Sequence, residues 1–218
     1  MPVKVGLKYI EIWKESMEDV VSEYEKEPIE QGKIVFYGPS NFTRWSTKFG
    51  MKPMRDVLLG KSGEKCVTNR GFGSSCTEHQ LYFYPRMIRP LAPSVLVYSS
   101  QPNGAAFGYT NDEIWELAQR VILYAKTDFP DIRVYLCASN TRSVITDEYN
   151  EKAEEYNEKV KAFVEEHSDF CRYIDVYHRP ELIGEDIYVE DGVHFNQKGY
   201  DRYAEVFKEA LAEELAKF

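Results

Sequence analysis

Two short segments at opposite ends of the chain carry residue types that can transfer an acyl group. The first is YGPSNFTRW (37–45), in which Ser40 follows a short apolar run, KIVFYG (33–38). A serine hydroxyl is a weak nucleophile until a base accepts its proton. The second is EDGVHFNQKGY (190–200), a loop in which His194 follows acidic residues, with Asp191 three residues before it. One turn would set that carboxylate on one imidazole nitrogen and leave the other facing outward. This fixes the tautomer and stabilises the imidazolium formed during acyl transfer.

Each segment alone also has a purely structural reading. A loop serine usually caps a turn or a helix. Asp191-Gly192 is a turn pair, and Asn196 is a cap for a following helix. His79, His167 and His178 stand in weaker contexts, His79 and His167 reading as polar helix residues. A metal-dependent hydrolase built on Asp191, His194 and His178 is the weakest reading, because no second His/Asp cluster accompanies them. No metal and no cofactor is expected.

The segments IVFYGPSNFTRW, VTNRGFGSS, PSVLVYSSQPNG and DGVHFNQKGY together make the chain resemble the SGNH/GDSL hydrolase family, over about residues 33–211. The last segment is specific: Asp and His three apart, then Asn and Gly-Tyr opening the final helix. The resemblance implies a three-layer α/β/α fold, Ser40 as nucleophile, His194 as base and Asp191 as its orienter. It also implies an oxyanion hole made of the backbone amides of Ser40 and Ser74 and a side-chain amide after the third strand.

At that last position the family's asparagine aligns with Pro102, which has no side-chain donor. The neighbouring Asn103 is the substitute, with Gln101 and Ser100 as alternatives. Asn103 also reads as part of a tight Pro-Asn-Gly turn, where asparagine tolerates positive φ. The lack of a GxSxG elbow argues against an ordinary α/β-hydrolase. The function expected is hydrolysis of small acyl or acetyl esters, possible alcohol parts including carbohydrate. The alternative, raised by Pro102, is a binding protein on the same fold that has lost catalysis.

These residues need a scaffold, and the chain alternates strand and helix patterns. Strands are expected at 33–38, 65–69, 94–100, 131–139 and 172–177. Helical faces run through Tyr9, Trp13, Met17, Val20 and Tyr24; through Tyr149, Ala153, Tyr156, Val160 and Phe163; and through Tyr200, Tyr203, Phe207 and Leu211. Thr77 with Gln80, and Thr110 with Glu113, form capping-box patterns. The first opens a helix to about residue 91 that Pro85 can kink. Five strands separated by helices argue for an α/β three-layer sandwich around a five-stranded parallel sheet. No linker or repeat divides the chain. The expectation is one domain over 1–218, with a helix within 1–30 packed on it.

At 218 residues and 43% hydrophobic, the chain can bury one sizeable core. Its formal net charge of -9 repels nucleic acid and anionic membrane, so the expected partner is a small-molecule ester. No apolar run approaches the ~20 residues that cross a bilayer, and the early charges do not resemble a signal peptide. A cytoplasmic location and free thiols at Cys66, Cys76, Cys137 and Cys171 are the corresponding expectations. The 16 tyrosines are read mainly as core residues.

Overall fold

The computed structural model describes residues 10, 14–100 and 103–218. Tyr9, Trp13, Gln101 and Pro102 lie outside the described residues. The five apolar runs form parallel strands: β1 Ile34–Gly38, β2 Val67–Gly71, β3 Val95–Tyr98, β4 Arg133–Cys137 and β5 Cys171–Ile174. Their order in the sheet is β2-β1-β3-β4-β5.

Parallel neighbours cannot be joined by a hairpin, so each connection crosses a face of the sheet. The helices are α1 Lys14–Glu25, α2 Ser40–Thr43, α3 Thr77–Met87, α4 Asn103–Ala106, α5 Asn111–Asp128, α6 Asp147–Glu166, α7 Gln197–Ala210 and α8 Ala212–Leu215. Side chains alternate across the pleat, which divides the core in two. Val35, Tyr37, Leu96, Tyr98, Val134 and Leu136 pack with residues of α1, α3 and α5. Ile34, Phe36, Val95, Val97, Tyr135 and Cys137 pack with Phe42, Trp45, Tyr203 and Phe207. The result is the three-layer α/β/α sandwich expected from the sequence.

The local boundaries differ in ways that have physical causes. Strand β2 extends two residues beyond the expected end, because Arg70 and Gly71 pair with Tyr37 and Gly38 of β1. The capping box of α3 lies one residue earlier than expected. Cys76 is the cap, with His79 as its reciprocal partner. The Thr77 hydroxyl instead donates to the Ser100 carbonyl at 2.6 Å, a tertiary bond that the local pattern does not reveal. His79 lies in the helix as expected, where it is fully buried. The Thr110/Glu113 box is present as expected at the start of α5. All four cysteines are buried and unpaired. Among the described residues no helix is long and apolar enough to cross a membrane.

Two glycines set how closely the functional loops approach the sheet layers. A Cβ on Gly71 would lie 2.5 Å from the Thr43 amide nitrogen and 2.6 Å from Phe42 Cβ, so α2 rests directly on β2. A Cβ on Gly199 would lie 2.3 Å from the Ile187 carbonyl oxygen and 2.7 Å from Phe195 Cβ. The loop that carries His194 is therefore pressed against the first turn of α7. Neither contact can be relieved by rotating a flexible side chain. Substituting Gly199→Ala is expected to cost ~1–3 kcal/mol through overpacking. For a chain of this size that lowers the melting temperature by roughly 2–12 °C. Thermal denaturation checks this, and an unchanged melting temperature would show that the 187–195 loop yields freely.

Candidate active site

In this topology β1 is flanked by β2 on one side and β3 on the other. The chain leaves β1 in one direction and later returns in the other, which opens a crevice beyond the carboxyl ends of the strands. Ser40 stands there, two residues past β1, and opens the single helical turn α2. As the first helical residue, its backbone N–H has no intrahelical acceptor. Phe42 and Trp45, nearly fully buried, lock the rest of the turn onto the core.

The other half of the site enters from α7. Asn196 caps this helix, its side chain accepting the Gly199 amide at 3.1 Å, and so orients the loop before it. Within that loop Asp191 accepts the Val193 and His194 amides on Oδ1, both at 2.9 Å. Its Oδ2 meets His194 Nδ1 at 2.7 Å. The opposite ring nitrogen, Nε2, lies 2.8 Å from Ser40 Oγ. Serine, histidine and aspartate, separated by up to 154 positions in sequence, thus form one hydrogen-bonded line. The structural readings hold at the same time: Asp191-Gly192 is a turn and Asn196 is a cap.

Burial pushes the Asp191 carboxyl up, but the hydrogen bonds from the His194 amide and ring and from the Val193 amide outweigh it. The net result is a pKa of about 2. Arg44 Nη1, 3.6 Å from Asp191 Oδ2, adds a cation to the same oxygen. The carboxylate therefore stays ionised throughout the neutral range.

Ser74 lies in the loop after β2, at a φ of +61°, which costs a non-glycine residue of order 1 kcal/mol or more. The loop runs beside the serine, and a Cβ on Gly73 would stand 3.9 Å from Ser40 Cβ. Asn103 is the first residue of the helical turn α4. Its amide nitrogen donates to the Ser75 carbonyl at 2.8 Å, which ties the two loops together and, among the described residues, leaves one amide hydrogen uncommitted. Ser40, Gly73, Ser74, Asn103 and His194 all line one cleft of about 320 Å³.

A second Asp-x-x-His unit repeats this local geometry. Asp175 Oδ1 accepts the Tyr177 and His178 amides at 3.1 and 3.0 Å, and its Oδ2 lies 2.9 Å from His178 Nδ1. Here, however, the outer nitrogen meets Glu154 Oε1 at 2.8 Å. The Glu154 carboxylate raises the His178 pKa, burial opposes it, and Asp175 adds to the rise. This histidine is a tie between α6 and the end of β5. Among the described residues no group of three metal-ligating side chains is assembled, so the pairing of His178 with Asp191 and His194 considered from the sequence does not form.

The sequence reading missed the rest of the cleft lining. Asn41 and Thr43 come from α2, while Asn140, Thr141 and Arg142 come from the loop after β4. The available signal was position: these residues follow strand ends, on the edge of the sheet where such sites form.

Comparison with known proteins bears directly on this arrangement. A search of curated proteins gives no match. Among solved structures, a candidate acylhydrolase from Bacteroides fragilis NCTC 9343 superposes with a TM-score of 0.71 at 20% identity, covering 91% of this chain and 97% of its own. A GDSL-like lipase from Bacteroides thetaiotaomicron VPI-5482 gives 0.69 at 18% identity, covering 93% and 98%. A variant of an acetyl-xylooligosaccharide esterase from Geobacillus gives 0.63 at 15%, covering 84% and 95%. At these identities the likeness is one of fold. The family model for GDSL-like lipase/acylhydrolase matches residues 96–207, just over half of the chain, and the chain therefore belongs to the GDSL-like lipase/acylhydrolase family.

Proposed function

We propose that this chain is a serine esterase acting on small acyl or acetyl esters, carbohydrate esters among them, through an acyl-enzyme on Ser40. The observation that carries the reading is His194, whose two ring nitrogens lie 2.7 Å from Asp191 and 2.8 Å from Ser40. Ser40 Oγ attacks the ester carbonyl carbon as its proton passes to His194 Nε2. The tetrahedral intermediate then collapses, and the alcohol leaves with that proton. Water, deprotonated by the same nitrogen, releases the acid.

Asp191 holds the ring in the tautomer that presents Nε2 as acceptor. Charge on the former carbonyl oxygen is met by the Ser40 and Ser74 amides and by the uncommitted amide hydrogen of Asn103. The cleft volume of about 320 Å³ favours a small acyl group. A relative by fold is named as an acetyl-xylooligosaccharide esterase, which agrees with a sugar as the alcohol.

Three expectations follow from these roles. Ser40→Ala should lose labelling by a fluorophosphonate and at least ~1,000-fold of its ester turnover while melting as the wild type does. Persistent labelling would move the nucleophile elsewhere, with Ser74 and Ser75 as the candidates. Turnover near neutral pH should be insensitive to titration of Asp191, since its carboxyl is depressed to about 2 and is already ionised. Acid should release this group's stabilising effect only as pH falls below ~4 toward 2. An activity limb that vanishes in Asp191→Asn without loss of maximal turnover would contradict this role.

Asn103 is tested by Asn103→Gly and Asn103→Asp. If its amide serves the oxyanion, both variants lose roughly 100–1,000-fold in kcat. If it only ties the loops, the main loss is thermal stability, which a melt alongside the kinetics separates.

A further inference from the structure

The cleft carries a charge pattern opposite to that of the molecule. The chain has a formal net charge of -9, yet the charged side chains lining the cleft are two arginines, Arg44 and Arg142. No Asp or Glu is among the lining residues. Arg44 is partly committed, lying 3.6 Å from Asp191 and 5.3 Å from the Phe49 ring centre. Arg142 differs, since its guanidinium stacks 4.3 Å from the Tyr149 ring centre. Among the described residues no carboxylate pairs with it. The guanidinium also lies against the Tyr149 hydroxyl, and its remaining N–H groups can meet an anion.

The segment bearing Arg142 is held in place on both sides. Ser143 donates its amide to the Gly192 carbonyl at 2.9 Å, beside Asp191. Thr141 accepts the Tyr188 hydroxyl at 2.6 Å, and Tyr149 donates to the Asn140 carbonyl at 2.6 Å. The cleft also has spare neutral donors. The amide nitrogens of Asn41 and Asn140 are buried and have no hydrogen-bond partner among the described residues. A rigid wall with surplus donors and an unpaired cation suits a ligand rich in acceptors and negative charge.

We propose that the substrate is an ester carrying an anionic group, a carboxylate or a phosphate, which Arg142 grips on the wall of the cleft beside the loop that bears His194. This rests on the serine-esterase reading for the reaction but not for the binding. The anion sits either on the alcohol part or on the acyl part.

The test uses non-hydrolysable amides in matched pairs, titrated calorimetrically at low ionic strength. For an anion on the alcohol side the pair is 4-acetamidobenzoate and 4-acetamidobenzamide. For an anion on the acyl side it is N-phenylsuccinamate and N-phenylpentanamide. Wild-type protein should bind the charged member of one pair at least ~10-fold more tightly, the scale of one charge-assisted hydrogen bond. Arg142→Gln should reduce that preference to about twofold or less, with Arg142→Lys recovering part of it, and melting temperatures should stay unchanged. Equal affinity within both pairs overturns the proposal, as does a preference that survives in Arg142→Gln. Labelling of the wild type by a fluorophosphonate reports separately on Ser40. Label without charge preference sinks the anion, and charge preference without label sinks the serine mechanism alone.

Discussion

A hydrogen bond of 2.8 Å between residues 154 positions apart is the constraint on which the site depends. Nothing local brings Ser40 to His194; a seam of aromatic rings does. Trp45, just past α2, stacks on Tyr200 with ring centres 5.3 Å apart and on Tyr203 at 5.7 Å. Phe195, next to the histidine, packs on Tyr200 and Tyr203 at 5.7 and 5.1 Å. The Tyr200 hydroxyl donates to the Asn41 carbonyl at 2.9 Å, stitching α7 to the residue after the serine. Rings with two side-chain torsions lose little entropy when packed and transmit position stiffly. Proton transfer tolerates misplacement of only ~0.5 Å, so this seam does for the distant pair what a short turn does for Asp191 and His194.

The two Asp-x-x-His units show what such a turn can and cannot decide. Each uses one carboxylate oxygen to collect two backbone amides and the other to meet the imidazole. Their local chemistry is the same, so spacing alone does not select between them. The selection lies beyond Nε2. One ring faces a serine hydroxyl in a cleft, the other a carboxylate on α6. An imidazole held between two carboxylates is stabilised as the cation and cannot accept a proton from a nucleophile. Tertiary placement, not the motif, separates the ring that faces Ser40 from the ring that braces α6.

This explains how much of the molecule could be read in advance. Apolar runs between helical patterns fixed five parallel strands, because burial on both faces of a sheet leaves little freedom of composition. Asp191, Gly192, His194 and Asn196 could be read because their bonds are made within a few residues. The cap of α3 could not, since Thr77 is drawn away by Ser100, and nothing near Thr77 in sequence announces that partner. Asn103 was legible as a residue type in the right loop, but its bond to Ser75 depends on how two loops meet. Arg142 was invisible for a related reason. Its significance is that no carboxylate among the described residues pairs with it, which is a property of the assembled cleft.

The same distinction governs the use of net charge. A total of -9 is a sound argument against an extended polyanion, which must lie across many charged surface groups at once. It says little about one anionic group inside a cleft. At physiological ionic strength charges are screened over ~8 Å, so a bound group responds chiefly to the side chains that line its walls. There the nearest unpaired charge is that of Arg142, fixed by its ring contact with Tyr149. Water displaced from the cleft would further reduce screening and strengthen that interaction. An acidic surface and a cationic cleft are therefore compatible, and the lining of the cleft, not the total, sets the charge a ligand there would meet.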